Sequence, residues 1–180
     1  GPMWSQMVFM RNHLKRVFKL KKEPYQFHYL NHHLSHAASS FFLSDFKESA
    51  ILTIDGSGER TNTMMSIGGE GFIRPIKQFY FPNSLGYLYA SVTQFLGFKP
   101  NKGEGKVMGL ASYGQPKYMD TFRKICQIQP NGGYQLDLSY FDYYRNAASI
   151  ENNKPWFSKR FTDLFGQPRI PESEITQHHE

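Results

Sequence analysis

The chain has a single cysteine, Cys126, among 180 residues. One thiol excludes an internal disulfide and suits a reducing compartment. No apolar run approaches the roughly 18 residues that a membrane-spanning helix needs, and no signal-peptide pattern is visible. A membrane is therefore not an expected partner, and a soluble cytoplasmic protein is the expectation. Internal repeats and low-complexity tracts are missing, as is any recognisable nucleic-acid-binding motif, so nucleic acid is not an expected partner either. There is no P-loop: Asn101–Ala111 mixes glycines with Lys102 and Lys106 but lacks the glycine spacing and the Lys-Ser/Thr ending. Gly1-Pro2 ahead of Met3 reads as a scar of tag removal and is set apart from the fold.

What is present fits one domain with a genuine core. Aromatic residues make up 16% of the chain, more than surface contacts need, and such side chains fill cores or clefts. The net charge of +6 is uneven, with Arg11, Lys15, Arg16, Lys19, Lys21 and Lys22 concentrated near the start. A cluster of that kind can meet nucleic acid, an anionic membrane or an acidic neighbour, but a solvated helix face is the favoured reading.

Periodicity predicts an α/β domain with a mixed sheet and a helical second half. Met7, Met10, Leu14, Val17 and Phe18 recur at helical spacing over residues 5–20, with the basic residues on the other side. Pro24 ends that helix, and residues 25–30 alternate enough for a strand. Asn31 is a candidate N-cap for a helix running to about Leu43. Ala50–Ile54 reads as a buried strand, Asp55–Gly58 as a glycine turn, and Thr61–Ile67 and Phe72–Phe81 as strands around a hairpin at Gly68–Gly71. Helices are predicted over Ser84–Phe98, from near Gly103 through Leu110, and over Tyr118–Ile125. Tyr134, Leu136 and Leu138 alternate as a further strand, and residues 177–180 resemble the first turn of another helix.

His32 and His36 stand four apart, so on a helix they share one face. Asp55 follows at the end of an apolar run, ahead of Gly56-Ser57-Gly58. Two imidazoles and one carboxylate suit a divalent transition metal such as iron, zinc or manganese and leave coordination positions open for chemistry. The alternative is a pair of helix histidines with satisfied hydrogen bonds. His33 points about 100° away from its neighbour and is expected to pack behind the ligands. Gly56, Ser57 and Gly58 could present backbone N–H groups to a phosphate, or simply form a hairpin. Lys102 or Lys106 could pair with a phosphate or carboxylate, or the segment could simply be a loop entering a helix, with Glu104 favourable near its start.

Three blocks together resemble the O-carbamoyltransferase family of nodulation protein U and the antibiotic-tailoring carbamoyltransferases. They are His32-His33-Leu34-Ser35-His36-Ala37-Ala38-Ser39, then Leu52–Glu59, then Phe81–Tyr89 continuing through Gly105–Gly114. The resemblance covers residues 25–115 closely and the remainder loosely. It implies a partial actin-like ATPase (ASKHA, ribonuclease H-like) domain, related to the tRNA threonylcarbamoyl-transfer enzymes. It further implies transfer of a carbamoyl group to a hydroxyl of a small-molecule acceptor. In that family carbamoyl phosphate and ATP give carbamoyl-adenylate in a separate C-terminal domain, and a metal, iron by expectation, lies near the nucleotide phosphate. By position, His32, His36 and Asp55 would be the metal ligands, and Gly56, Ser57 and Gly58 would lie beside the phosphate. Glu104 is a candidate base for the acceptor hydroxyl.

The chain also departs from the family. The opening strand with its His-Asp pair, a further ligand aspartate and the adenylate-forming domain are not among these residues, and Gly105 stands where relatives commonly have tyrosine. Residues 3–180 are therefore expected to be an incomplete N-terminal carbamoyl-transfer domain, inactive alone. Two other functions remain open: a metal-dependent nucleotide-binding module of the same fold, tRNA-modifying or kinase-like, or a non-catalytic interaction domain docking through the basic opening helix.

Overall fold

The computed structural model describes residues 9–22, 24–26, 28–146, 154–176 and 179. The chain divides into two compact units, residues 1–31 and 32–180. In the first, helix α1 spans Met10–Val17, with Lys15 and Arg16 in its last turn and none of its residues buried. Met7 and the start of the predicted helix fall outside the described residues. No strand forms over the described part of 25–30, because neither sheet includes it. An alternating segment is a strand only where a neighbour takes its backbone hydrogen bonds.

The second unit begins with helix α2, His32–Phe41. Its buried residues, His33, Ala37 and Phe41, recur every four positions and form the face that meets the sheet. The sheet has three strands in the order β1 (Ser49–Gly58), β2 (Thr61–Gly69) and β3 (Phe72–Tyr80). Ala37, Phe41, Ile51 and Met64 form the core between helix and sheet, while Leu52 and Ile54, alternating with Ile51 and Thr53, face the other way and are exposed.

Both strand pairings are antiparallel, in place of the mixed sheet expected. Pairing of Gly58 with Thr61 and of Gly69 with Phe72 leaves two-residue connections, and such short links cannot deliver a parallel neighbour. The predicted turn at Asp55–Gly58 is also corrected. Those residues are the end of β1, irregular in register between Ile54 and Gly58, and the chain reverses at Glu59-Arg60. Gly68 and Gly69 likewise belong to β2. A Cβ at Gly68 would lie 2.8 Å from the Phe41 ring, so close packing, not a turn, requires that glycine.

The helical half follows as predicted, with shorter elements: α3 (Leu85–Phe95), α4 (Glu104–Ala111) and α5 (Met119–Ile125). A small antiparallel hairpin of β4 (Cys126–Ile128) and β5 (Tyr134–Leu136) comes next, then α6 (Tyr143–Asn146) and α7 (Lys159–Phe165). Leu138, expected to continue the strand, opens a 3₁₀ turn instead, because the Asp137 side chain accepts from the Ser139 N–H and starts a helical turn. Of the predicted terminal helix only His179 is described.

The larger core joins α3 to α7 through aromatic side chains. Phe161 is 1% exposed, with ring centroids of Phe165 at 4.5 Å and Phe95 at 5.2 Å. No described helix is long and apolar enough to cross a membrane. Phe161→Ala is expected to lower unfolding free energy by about 3–5 kcal/mol in urea titrations. Leu43→Ala, at a residue 86% exposed, is expected to change it by less than about 0.5 kcal/mol.

Candidate metal centre

β1 and α2 bring the predicted ligands together. Rotating one residue from the buried His33 face carries His32 and His36 to the edge of the sheet, beside the end of β1. There His32 Nε2 lies 2.6 Å from Asp55 Oδ2, His36 Nε2 lies 3.5 Å from the same oxygen, and the two Nε2 atoms are 3.0 Å apart. Among the described residues this is the single group of three or more His, Cys, Asp or Glu side chains able to hold a metal. Metal–ligand bonds of about 2.0–2.2 Å at tetrahedral or octahedral angles put neighbouring donor atoms about 3.0–3.5 Å apart. Two of the observed separations lie in that range, and the third is a hydrogen-bond distance.

Proton bookkeeping supports the same use. A neutral imidazole has one N–H. If His32 Nε2 donates to Asp55, its lone pair is gone, and His36 Nε2 can only share that hydrogen or turn its own toward the carboxylate. Three converging donor atoms with few protons to divide between them match the requirement of a cation. Stability does not explain the convergence, because side chains that are 41%, 53% and 40% exposed gain little from pairing. The same exposure leaves one side of the group open.

The neighbouring residues position this group. Asp55 Oδ1 accepts the Gly56 N–H at 2.6 Å, which fixes the carboxylate and aims Oδ2 at the histidines. Burial pushes the Asp55 carboxyl up, but the hydrogen bonds from His32 and Gly56 and the nearby imidazoles more than offset it and hold the group below its ordinary range. A Cβ at Gly58 would come within 2.2 Å of His32 Cδ2, so glycine there makes room for the ligand ring. Its place in the site is therefore against His32. Gly56, whose N–H is already used, and Ser57, whose hydroxyl lies 3.3 Å from Tyr87 Oη, face the adjoining cleft.

His33 packs behind the ligands as expected. It is fully buried, with Nε2 3.0 Å from the Thr61 carbonyl and Nδ1 2.7 Å from Thr53 Oγ1. A carbonyl only accepts, so Nε2 carries the hydrogen and Nδ1 accepts from the threonine hydroxyl. Burial lowers its pKa.

The cleft beside Asp55 is open and bounded by Gly56, Ser57, Gly86, Tyr87 and Glu104. Glu104 Oε1 accepts the Asn101 N–H at 2.7 Å, which leaves the second oxygen without a role in that loop. Lys106 does not line this cleft; its Nζ lies 5.8 Å from the Phe98 ring centroid. Sequence reasoning missed Ser84 and Gly86. Ser84 caps α3 by accepting the Tyr87 N–H and donates to the Gly56 carbonyl at 2.8 Å. Gly86 approaches so closely that a Cβ would sit 2.5 Å from the Asp55 backbone. Two signals were present in the sequence: a serine just before an apolar helical period, and a glycine in a first helical turn where propensity opposes it.

A buried neutral His33 makes stability depend on pH. Because its folded pKa lies below the ordinary value of 6.5, its contribution is complete above that pH and is lost as pH falls toward the folded value. Urea midpoints measured with chelator at pH 7.5 and 5.5 should fall for the natural chain and fall less for His33→Gln.

A family model described as carbamoyltransferase N-terminus matches residues 3–180. The uncharacterized protein sll1178 of Synechocystis is 43% identical over 148 residues, covering 81% of this chain and 23% of that protein. Nodulation protein NolNO of Sinorhizobium fredii is 37% identical over 132 residues, covering 73% and 19%. Nodulation protein NolO of Bradyrhizobium diazoefficiens is 37% identical over 110 residues, covering 61% and 20%. The chain thus spans less than a quarter of these relatives' own lengths. It belongs to the carbamoyltransferase family, within the N-terminal region of that family's proteins.

Proposed function

We propose that this chain is the metal-holding part of an O-carbamoyltransferase that moves a carbamoyl group from carbamoyl-adenylate to a hydroxyl of a small-molecule acceptor. The reading rests on one observation above the others, the convergence of His32, His36 and Asp55 beside an open cleft. These three side chains would hold a divalent metal, with iron the expectation. When bound, the ion would supply positive charge to the adenylate phosphate and to the charge that develops in acyl transfer. The architecture belongs in this proposal to the actin-like ATPase (ASKHA) class. Carbamoyl phosphate and ATP are the substrates that give carbamoyl-adenylate, in a further domain of the protein, and the setting is cytoplasmic.

In this reading the nucleotide phosphate lies beside Gly56 and Ser57, and the Ser57 hydroxyl donates to it. Lys106, directed to the Phe98 ring outside the cleft, takes no direct part. The acceptor oxygen forms a bond to the carbamoyl carbon while the carbon–oxygen bond to AMP breaks, and AMP leaves with the electron pair. Glu104 takes the acceptor proton on the oxygen that Asn101 does not occupy. The Ser84 and Gly86 contacts keep the floor of the cleft at a fixed height under these groups.

The intact protein, supplied with carbamoyl phosphate, ATP and a panel of hydroxyl acceptors, is expected to release AMP in step with a carbamoylated product. His36→Ala should cut that rate by about a hundredfold or more and lower metal content measured by atomic emission. Unchanged turnover and metal content in that variant would remove the reading. Gly58→Ala should also lose metal with its circular dichroism intact, because the new methyl displaces His32. Gly56→Ala, whose methyl would meet the Tyr87 ring at an ordinary 3.7 Å, should retain it.

A further inference from the structure

A second cleft, of about 450 Å³, lies on the helical half and shares no lining residue with the one beside Asp55. Arg169 lines it and is 9% exposed. Its Nη1 donates to the Leu96 carbonyl at 3.0 Å and its Nη2 to the Ser173 carbonyl, while Nε is buried with no acceptor. Its guanidinium carbon sits 5.2 Å from the Phe98 ring centroid. No carboxylate among the described residues lies within ion-pair distance of it. The carbonyl at the end of α3 offers the partial negative charge of a helix C-terminus, which offsets part of the buried cation. The Ser173 carbonyl and the Phe98 ring face add to this, but no described carboxylate does, and a guanidinium has five N–H donors, of which these two bonds use two.

Lys99 and Lys154, both exposed and neither in an ion pair among the described residues, line the same cleft. One acid, the exposed Glu172, shares it, so cations outnumber acids by three to one. Pro100, Pro155 and Pro171 stiffen the walls, since each fixes its own backbone φ. A cleft with a nearly buried guanidinium and two ammonium groups has the composition of an oxyanion site.

We propose that this cleft binds a phosphate-type oxyanion, held by Lys99, Lys154 and the remaining Nη N–H groups of Arg169. The shared chemistry is a multiply charged phosphate, whether free or attached to a small molecule. Glu172 acts against it and sets a modest affinity.

Calorimetry of the intact protein with pyrophosphate and with AMP, at constant ionic strength and without added metal, tests the site. Saturable pyrophosphate binding is expected, weakened about tenfold by Lys99→Gln or Lys154→Gln and strengthened by Glu172→Gln. Lys124→Gln, an exposed lysine outside the cleft, should leave it unchanged. AMP binding with the same dependence on Lys99 and Lys154 would identify an attached phosphate as a ligand; pyrophosphate alone would indicate a free one. The proposal is overturned if no binding is seen, or if Lys124→Gln weakens it as much as Lys99→Gln. It is equally overturned if binding survives both cleft lysine variants but is lost in His36→Ala.

Discussion

The hydrogen bonds of the buried His33 hold the candidate site together. Through Thr53 and the Thr61 carbonyl, this one ring ties helix α2 to β1 and to the start of β2. Its partners set the rotation of the helix about its own axis. Since successive helical residues differ by about 100°, fixing His33 toward the sheet fixes His32 and His36 toward the end of β1. Losing either partner would leave a polar ring buried without compensation, a cost that a rotated helix could not avoid. The exposed ligands themselves exert little hold, so their convergence is a consequence of the buried residue between them.

A second tie runs from the end of β1 into the helical core. Ser84 and Gly86 place the first turn of α3 against the Asp55–Gly56 backbone, and Tyr87, from the same turn, covers Gly56. The Tyr87 ring stacks on Tyr143 at 5.2 Å and meets Trp156 edge-on at 5.5 Å, both of them buried. Tyr143 in turn donates to the Pro82 carbonyl, and burial pushes its own ionisation up. Movement of the cleft wall therefore requires disturbing close-packed aromatic rings, which interiors resist. Asn83 extends the frame on the other side, pairing its amide with the backbone of Tyr134 and Leu136 in β5.

Much of this arrangement was legible because it rests on periodicity and spacing. The four-residue interval of His32 and His36 and the apolar run ending at Asp55 were enough to expect these three side chains in one place, where the structure puts them. The same logic correctly set His33 apart, since one helical step separates a surface from a buried face. Other features depend on partners distant in sequence. Whether residues 25–30 form a strand depends on a neighbour that pattern alone does not supply. The glycines of Asp55–Gly58 looked like turn residues, yet Gly58 answers to a histidine ring and Gly86 to a backbone oxygen. A missing side chain can mean φ freedom or closeness, and only the fold tells which. Family resemblance marked the Phe81–Tyr89 block without revealing why Ser84 and Gly86 belong there.

Electrostatics sets the character of the cleft beside Asp55. The acid that orients the histidines lies below its ordinary pKa, so it presents full negative charge where a cation would sit. The wall across the cleft contributes Glu104, already committed through one oxygen to the loop before α4. A polyanionic substrate approaching two carboxylates alone would be repelled, by Coulomb energies that grow as water leaves the cleft. Neutral histidines do not reverse that sign. A bound cation would, turning the same groups from a repulsive patch into a phosphate site. The charge thus agrees with the geometry: a cation shared by His32, His36 and Asp55 would remove the repulsion that this cleft otherwise offers an anion.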